Sequence, residues 1–117
     1  MVSWTIEFYE TENGVKCIEN YLNSIKDQKL KAKVLHDIGL LKQFGTALRQ
    51  PHTDYLDDGI WELRTKQSSN IARTLYFTVS GKKIILLHGF VKKTQKTPTS
   101  ELDRAKTNKN DYIRRHS

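Results

Sequence analysis

The chain is poor in most of the residues that announce a cofactor or a compartment. It has a single cysteine, Cys17, so no internal disulfide is possible and a reducing cytoplasm is the expected setting. No apolar run approaches the roughly 20 residues that span a bilayer. The opening stretch MVSWTIEFYE lacks a basic segment followed by an apolar one, so no export signal is expected. There is no glycine-rich phosphate loop. The four histidines, His36, His52, His88 and His116, are scattered, and no His/Cys/Asp set has metal-ligand spacing. Ser68 and Ser69 sit in a turn-like QSSN with no nucleophile-elbow pattern around them. The stretch DDGIWELR resembles a metal-nuclease acidic cluster only faintly: those sites need a carboxylate–x–lysine pair, and here the third position is Arg64. Neither a metal nor another cofactor is therefore expected.

What is present is positive charge, unevenly placed. The 117 residues carry a net +7. Residues 1–60 hold seven Lys/Arg against nine Asp/Glu, and residues 61–117 hold thirteen against four. A surplus confined to one half of a small chain favours a polyanionic partner, most often nucleic acid. An acidic protein partner would explain it too, as would an anionic membrane surface, though the latter is weaker because no basic amphipathic helix carries an aromatic face.

The length suits one domain over residues 1–117. WTIEFYE alternates and predicts a strand. NGVKCIENYLNSI predicts a helix, with Val15, Ile18, Leu22 and Ile25 on one stripe and Asn13 as cap. KLKAKVLHDIGLLKQFG predicts a second helix on Leu30, Val34, Ile38 and Leu41, stopped at Gly45. RQPHTDYLDDG reads as a loop. The period then changes to two. IWELRT, IARTLYFTV and KIILLHGFV predict strands joined by the short turns QSSN and SGKK, an antiparallel meander. A last helix is expected from Thr97 as cap and Pro98 as first residue, with Arg114 and Arg115 in its final turn. The fold class is α+β: a small antiparallel sheet with two N-terminal helices and a C-terminal helix.

Strand alternation puts Glu62 and Arg64 on one face of their strand, and Arg73 on the face of Ile71, Leu75 and Phe77. An arginine within a sheet is costly unless it is paired or faces a wet groove. Pairing of Arg64 with Glu62, and of Arg73 with an acid such as Glu19, is one account. For Arg64, Arg73, Lys92, Lys93 and Lys96 together the acid supply is too small, which favours an anion site where the last strand ends. Lys66 adds charge beside it, and Tyr55, in the expected loop, offers a ring for base stacking. His88 reads as a half-buried core histidine, and Tyr76 as a core residue.

The combined motifs ELR (62–64), R-x-L-Y (73–76) and F-x-K-K-T-x-K-T-P (90–98), followed by SELDRA, resemble the HigB branch of the RelE/ParE-type toxins. The resemblance runs over nearly the whole chain. It implies a RelE-like fold and a cytoplasmic toxin of a type II pair. In this branch it implies a ribosome-dependent, metal-independent mRNA endoribonuclease, held in a hetero-oligomer by a helix-turn-helix antitoxin. By position Arg64 and Arg73 match the family's strand arginines, and Lys92, Lys93 and Lys96 its motif lysines, so catalysis is expected of Arg64, Arg73 and Lys93. For the base, the residues themselves offer Glu62, on the face of Arg64, or a lysine whose pKa is lowered by the surrounding cations. RNA contact falls to Lys66, Lys92, Lys96 and Tyr55. Relatives often place a catalytic tyrosine or histidine near the chain end, where this chain has Tyr112 and His116 in a different local motif. Two rivals remain: a ParE-like gyrase poison, and a non-catalytic RNA- or ribosome-binding module. On this reading Arg73→Ala and Lys93→Ala are expected to leave folding intact while relieving growth arrest.

Overall fold

The computed structural model describes residues 3–117. Its longest apolar stripe behaves as the spacing predicts. Helix α2 (Gln28–Phe44) buries Leu30, Val34, Ile38 and Leu41 on one side. It begins where the Asp27 carboxylate accepts the amides of Lys29 and Leu30, and ends at Gly45, whose φ of 55° favours glycine. The Trp4 ring lies where a Gly45 Cβ would stand, so a side chain there is doubly excluded.

Helix α1 (Cys17–Ser24) starts later than its apolar spacing predicts. Asn13 does not cap it. Residues 11–15 close a turn instead, in which the Val15 amide donates to the Thr11 hydroxyl, and Val15 stays half exposed. Ile18, Tyr21 and Leu22 are the buried residues of this helix.

Among the described residues, five strands form one sheet in the order β1-β5-β4-β3-β2. These are β1 (Thr5–Phe8), β2 (Thr53–Asp57), β3 (Ile60–Gln67), β4 (Asn70–Val79) and β5 (Lys83–Lys92). Strands β2 to β5 make the antiparallel meander. Two features depart from the sequence reading. First, β1 joins the β5 edge in parallel, Ile6 opposite Ile84, so the sheet is mixed rather than wholly antiparallel. Second, the expected loop at 49–59 contains β2. Its hairpin to β3 turns on Asp58 and Gly59, both at positive φ, the geometry of a tight two-residue turn.

The sheet carries a core on each face. Helices α1 and α2 press onto Leu63, Ala72, Tyr76, Ile84 and Leu86. Gly89 lets the Tyr21 ring lie directly against the backbone, while the Tyr21 hydroxyl meets Thr74 Oγ1 at 3.2 Å. On the other face α3 (Thr99–Arg115) covers Ile60, Leu75, Phe77, Ile85 and Leu87 with Ala105 and Tyr112. Pro98, not Thr97, is the residue before α3, and Thr97 gives its hydroxyl elsewhere. Lys106 binds Asp57 at 2.7 Å, and Lys109 reaches Asp58, which ties α3 to the β2–β3 turn. At its far end Asp111 accepts from Tyr9 and Arg115, hydrogen bonds that hold its carboxyl well below the usual carboxylate range. No helix among the described residues is long and apolar enough to cross a membrane.

Candidate anion-binding cleft

Register decides which charges meet. On the α3 side of the sheet, Arg64 faces Arg73 and Arg73 faces Phe90, while Lys66 faces Ile71 and Ile71 faces Lys92. Alternation brings Glu62 and His88 onto the same face. Helix α3 covers only the apolar end of this surface. The charged end is crossed by the segment 93–97, which leads from β5 to α3.

Arg73 is the hub beneath that segment. It is fully buried. Its Nη2 donates to the carbonyls of Thr94 (2.5 Å) and Gln95 (2.8 Å), and its Nε lies 3.2 Å from Glu62 Oε1. Burial pulls its guanidinium below the ordinary value, the Glu62 charge opposes this, and Arg64 adds to the lowering. The expected partner, Glu19, belongs to the helix on the opposite face; Glu62 takes that place. This geometry also corrects the expectation that Arg73→Ala leaves folding intact, because the side chain holds two carbonyls and a buried carboxylate.

Glu62 is only 3% exposed and answers three groups. It accepts the Thr97 hydroxyl and faces Arg73 and, at 3.7 Å, Arg64 Nε. A carboxylate held this way is an anchor for the loop and for the arginines. Around it Arg73 Nε, Arg73 Nη1 and Arg64 Nε are buried without a hydrogen-bond acceptor among the described residues. Unsatisfied buried donors are rare and costly; of the two arginines, Arg64 borders an opening beside the cluster.

That opening is a cleft of about 450 Å³ lined by Asp54, Tyr55, Glu62, Arg64, Lys96 and Thr97, among others. A second recess of about 430 Å³ continues past Arg64 to Lys66, His52 and Asp37. The structure therefore brings Tyr55, Glu62, Arg64 and Lys96 together and places Lys66 next door. Arg73 lies below, out of reach of a ligand. Lys92 turns to Glu101 at the start of α3, 3.4 Å away, and Lys93 is exposed on the crossing segment, lining neither opening. Lys93 and Lys96 make no ion pair among the described residues.

His88 is a satisfied histidine, with Nε2 2.7 Å from Glu101 Oε1 and its ring stacked on Phe90. Burial raises the Glu101 carboxyl, but His88 and Lys92 outweigh it and hold the group below its ordinary value. Tyr112 is buried edge-on to Phe77 and stacked with His116 at 3.9 Å. It stands thirteen positions along the helix from Thr99, about 20 Å of rise, so neither Tyr112 nor His116 belongs to this cleft. Sequence reasoning missed Thr97 and Asp54. Thr97 was legible only as a cap, and Asp54 fell in the supposed loop.

A mixed five-stranded sheet with two helices on one face, a C-terminal helix on the other and a basic cleft at the uncovered end is compatible with the RelE-like fold class. Residues 20–110 match the family described as Phage derived protein Gp49-like (DUF891), and the chain belongs to that family, which falls in the RelE/toxin-like group. No curated protein matches the chain.

Proposed function

We propose that the chain is the toxin of a type II toxin–antitoxin pair of HigB type: a ribosome-dependent, metal-independent endoribonuclease that cuts mRNA and arrests translation in the cytoplasm. A helix-turn-helix antitoxin would neutralise it in a hetero-oligomer. Membership of a toxin-like group supports the class. The observation that carries the chemistry is the convergence of Arg64, Lys96 and Thr97 on one open cleft.

RNA brings its own nucleophile, the 2′-hydroxyl. Its oxygen attacks the adjacent phosphorus as its proton passes to water, the P–O5′ bond breaks, a 2′,3′-cyclic phosphate forms, and the 5′-oxygen takes up a proton from water. The protein must orient the strand and stabilise the charge that builds on the phosphorane. Arg64 presents a planar fork suited to two phosphate oxygens. Lys96 adds a compact charge from the other wall. A preorganised donor of this kind is worth about 2.7–4 kcal/mol of barrier. Glu62 and Arg73 act behind them as positioning residues, because both are buried. Lys66 and Lys92 extend the positive surface along the strand path.

One observation favours a non-catalytic RNA-binding module as the second reading: Glu62 is already engaged by Thr97 and two arginines, and so is poorly placed to remove a proton. Primer extension on a translated mRNA separates the readings. Cuts at defined codon positions that vanish with Arg64→Ala support the nuclease. Intact transcripts under growth arrest overturn it, and an arrest that tracks with trapped gyrase on DNA points to the ParE-like alternative.

A further inference from the structure

The cleft does not end at Tyr55. Tyr55 and Trp61 stand opposite each other in the β2–β3 register, rings edge to face with centroids 5.2 Å apart. They are 51% and 37% exposed. The pair is held in place, since the Tyr55 hydroxyl accepts the Gly59 amide at 3.0 Å. The two rings line an open recess of about 360 Å³ with Arg49, Gln50 and Asp54. Trp61 stands opposite Tyr76 and so on the α1/α2 side of the sheet, whereas Arg64 is on the α3 side; the recess and the Arg64–Lys96 cleft share Tyr55 and Asp54 and adjoin round the β2 edge.

We infer that Trp61, with Tyr55 and Arg49, forms a stacking subsite for an unpaired nucleobase that flanks the phosphate held at Arg64. The inference rests on the RNA reading of the cleft and adds to it where the strand leaves. Base stacking needs a fixed π-face and little area, and is tolerant of sequence because every base has such a face. The recess offers that. Two rings give the stacking surface, Arg49 supplies a cation for a backbone phosphate, and Asp54 and Gln50, joined by a 3.2 Å hydrogen bond, offer polar atoms to a base edge. A protein partner would be expected to want a broader apolar anchor than two rings framed by polar groups.

The test uses the full chain and short single-stranded RNAs carrying 2′-O-methyl groups throughout, which cannot supply the nucleophile. One set of these RNAs carries a single abasic nucleotide at each position in turn. Affinity is read by anisotropy, and folding by thermal melting. Trp61→Leu keeps apolar bulk but loses the aromatic face, and should weaken binding about ten- to hundredfold. Trp61→Phe should keep most of it. One abasic position should cost the wild type a similar factor and cost Trp61→Leu nothing further. Tyr55→Leu, which removes the other ring, is the parallel variant should Trp61→Leu melt early. If Trp61→Leu binds like wild type while Arg64→Ala does not, the subsite is wrong and the RNA cleft stands. A loss with Trp61→Leu that is the same for every abasic position makes Trp61 an apolar docking contact, as for a protein partner, and overturns stacking. If neither variant changes binding, both the subsite and the RNA reading fall.

Discussion

The two faces of the sheet solve the same problem differently. The face under α1 and α2 is packed with apolar side chains from both helices, Tyr21 among them, up to the exposed Trp61 near the β2 edge, and its polar residues are neutralised one by one. Thr74 meets Tyr21, and the Thr65 hydroxyl donates to Asp37 at 2.8 Å. The face under α3 is closed at one end only. Where α3 starts, apolar cover stops, and the remaining sheet surface holds Glu62, Arg64, Arg73 and Lys92. The first face shows how a small chain gains stability. The second shows what it does with the part of a sheet that it leaves uncovered: one buried ion cluster supports exposed cations that can meet a ligand.

Removing the support should have the largest effect on stability. Arg73→Ala leaves the Glu62 carboxylate buried against a single distant arginine and deprives the Thr94 and Gln95 carbonyls of their donor. Breaking a buried charge cluster from one side costs about 3–5 kcal/mol, which a urea titration would read as a large fall in midpoint. An unchanged midpoint would mean that the charged end is not built on Arg73. The opposite face offers the matching perturbation. Gly89→Ala sets a methyl group inside the Tyr21 ring, and overpacking of this kind costs about 1–3 kcal/mol. If the alanine variant were as stable as wild type, Tyr21 would have to pack elsewhere in solution.

How far each face was legible follows from the range of its contacts. The α2 stripe and the three long strands show in the sequence because their periods are local, and alternation alone put Arg64 and Arg73 on the correct faces. Caps and edges were less legible. Asn13 and Thr97 have the chemistry of caps, but tertiary hydrogen bonds decide what a hydroxyl or amide does, and Thr97 turns to Glu62, 35 positions away. β2 was hidden by Pro51 and by the acids of DDG, although Asp-Gly between Leu56 and Ile60 is itself a hairpin signal. The parallel pairing of β1 joins residues almost eighty apart and leaves no local trace. The basic motifs pointed to the charged end of the α3 face, yet only the path of residues 93–97 separates the buried Arg73 from Arg64 and Lys96, which line the candidate cleft.

Acid should sharpen the contrast between the faces, with a smaller effect than either substitution. Glu101 sits on the charged face and its folded carboxyl lies below the ordinary value of 4.5. Its contribution to stability is therefore complete above that value and is lost as pH falls from 4.5 through the lower folded value. Over that window the urea midpoint of the wild type should fall more steeply than that of Glu101→Gln, which has no carboxyl to protonate. Parallel slopes would show that the Glu101–His88–Lys92 contacts contribute nothing.

Arg64→Ala should have the smallest effect on stability and a large one on function. Arg64 is partly solvated and 3.7 Å from a carboxylate that keeps Arg73 and Thr97 after the change. Glu62 therefore keeps two of its three partners, so the urea midpoint should fall less than in Arg73→Ala. Its guanidinium nonetheless lines both recesses, and if the chain is the endoribonuclease proposed above, losing it should slow cleavage on translating ribosomes about 10²–10³-fold. The pair of variants therefore divides the cluster: Arg73→Ala acts through folding, and Arg64→Ala acts with folding intact. If Arg64→Ala cleaved at the wild-type rate while remaining folded, the accessible end of the charged face would not be the reactive one.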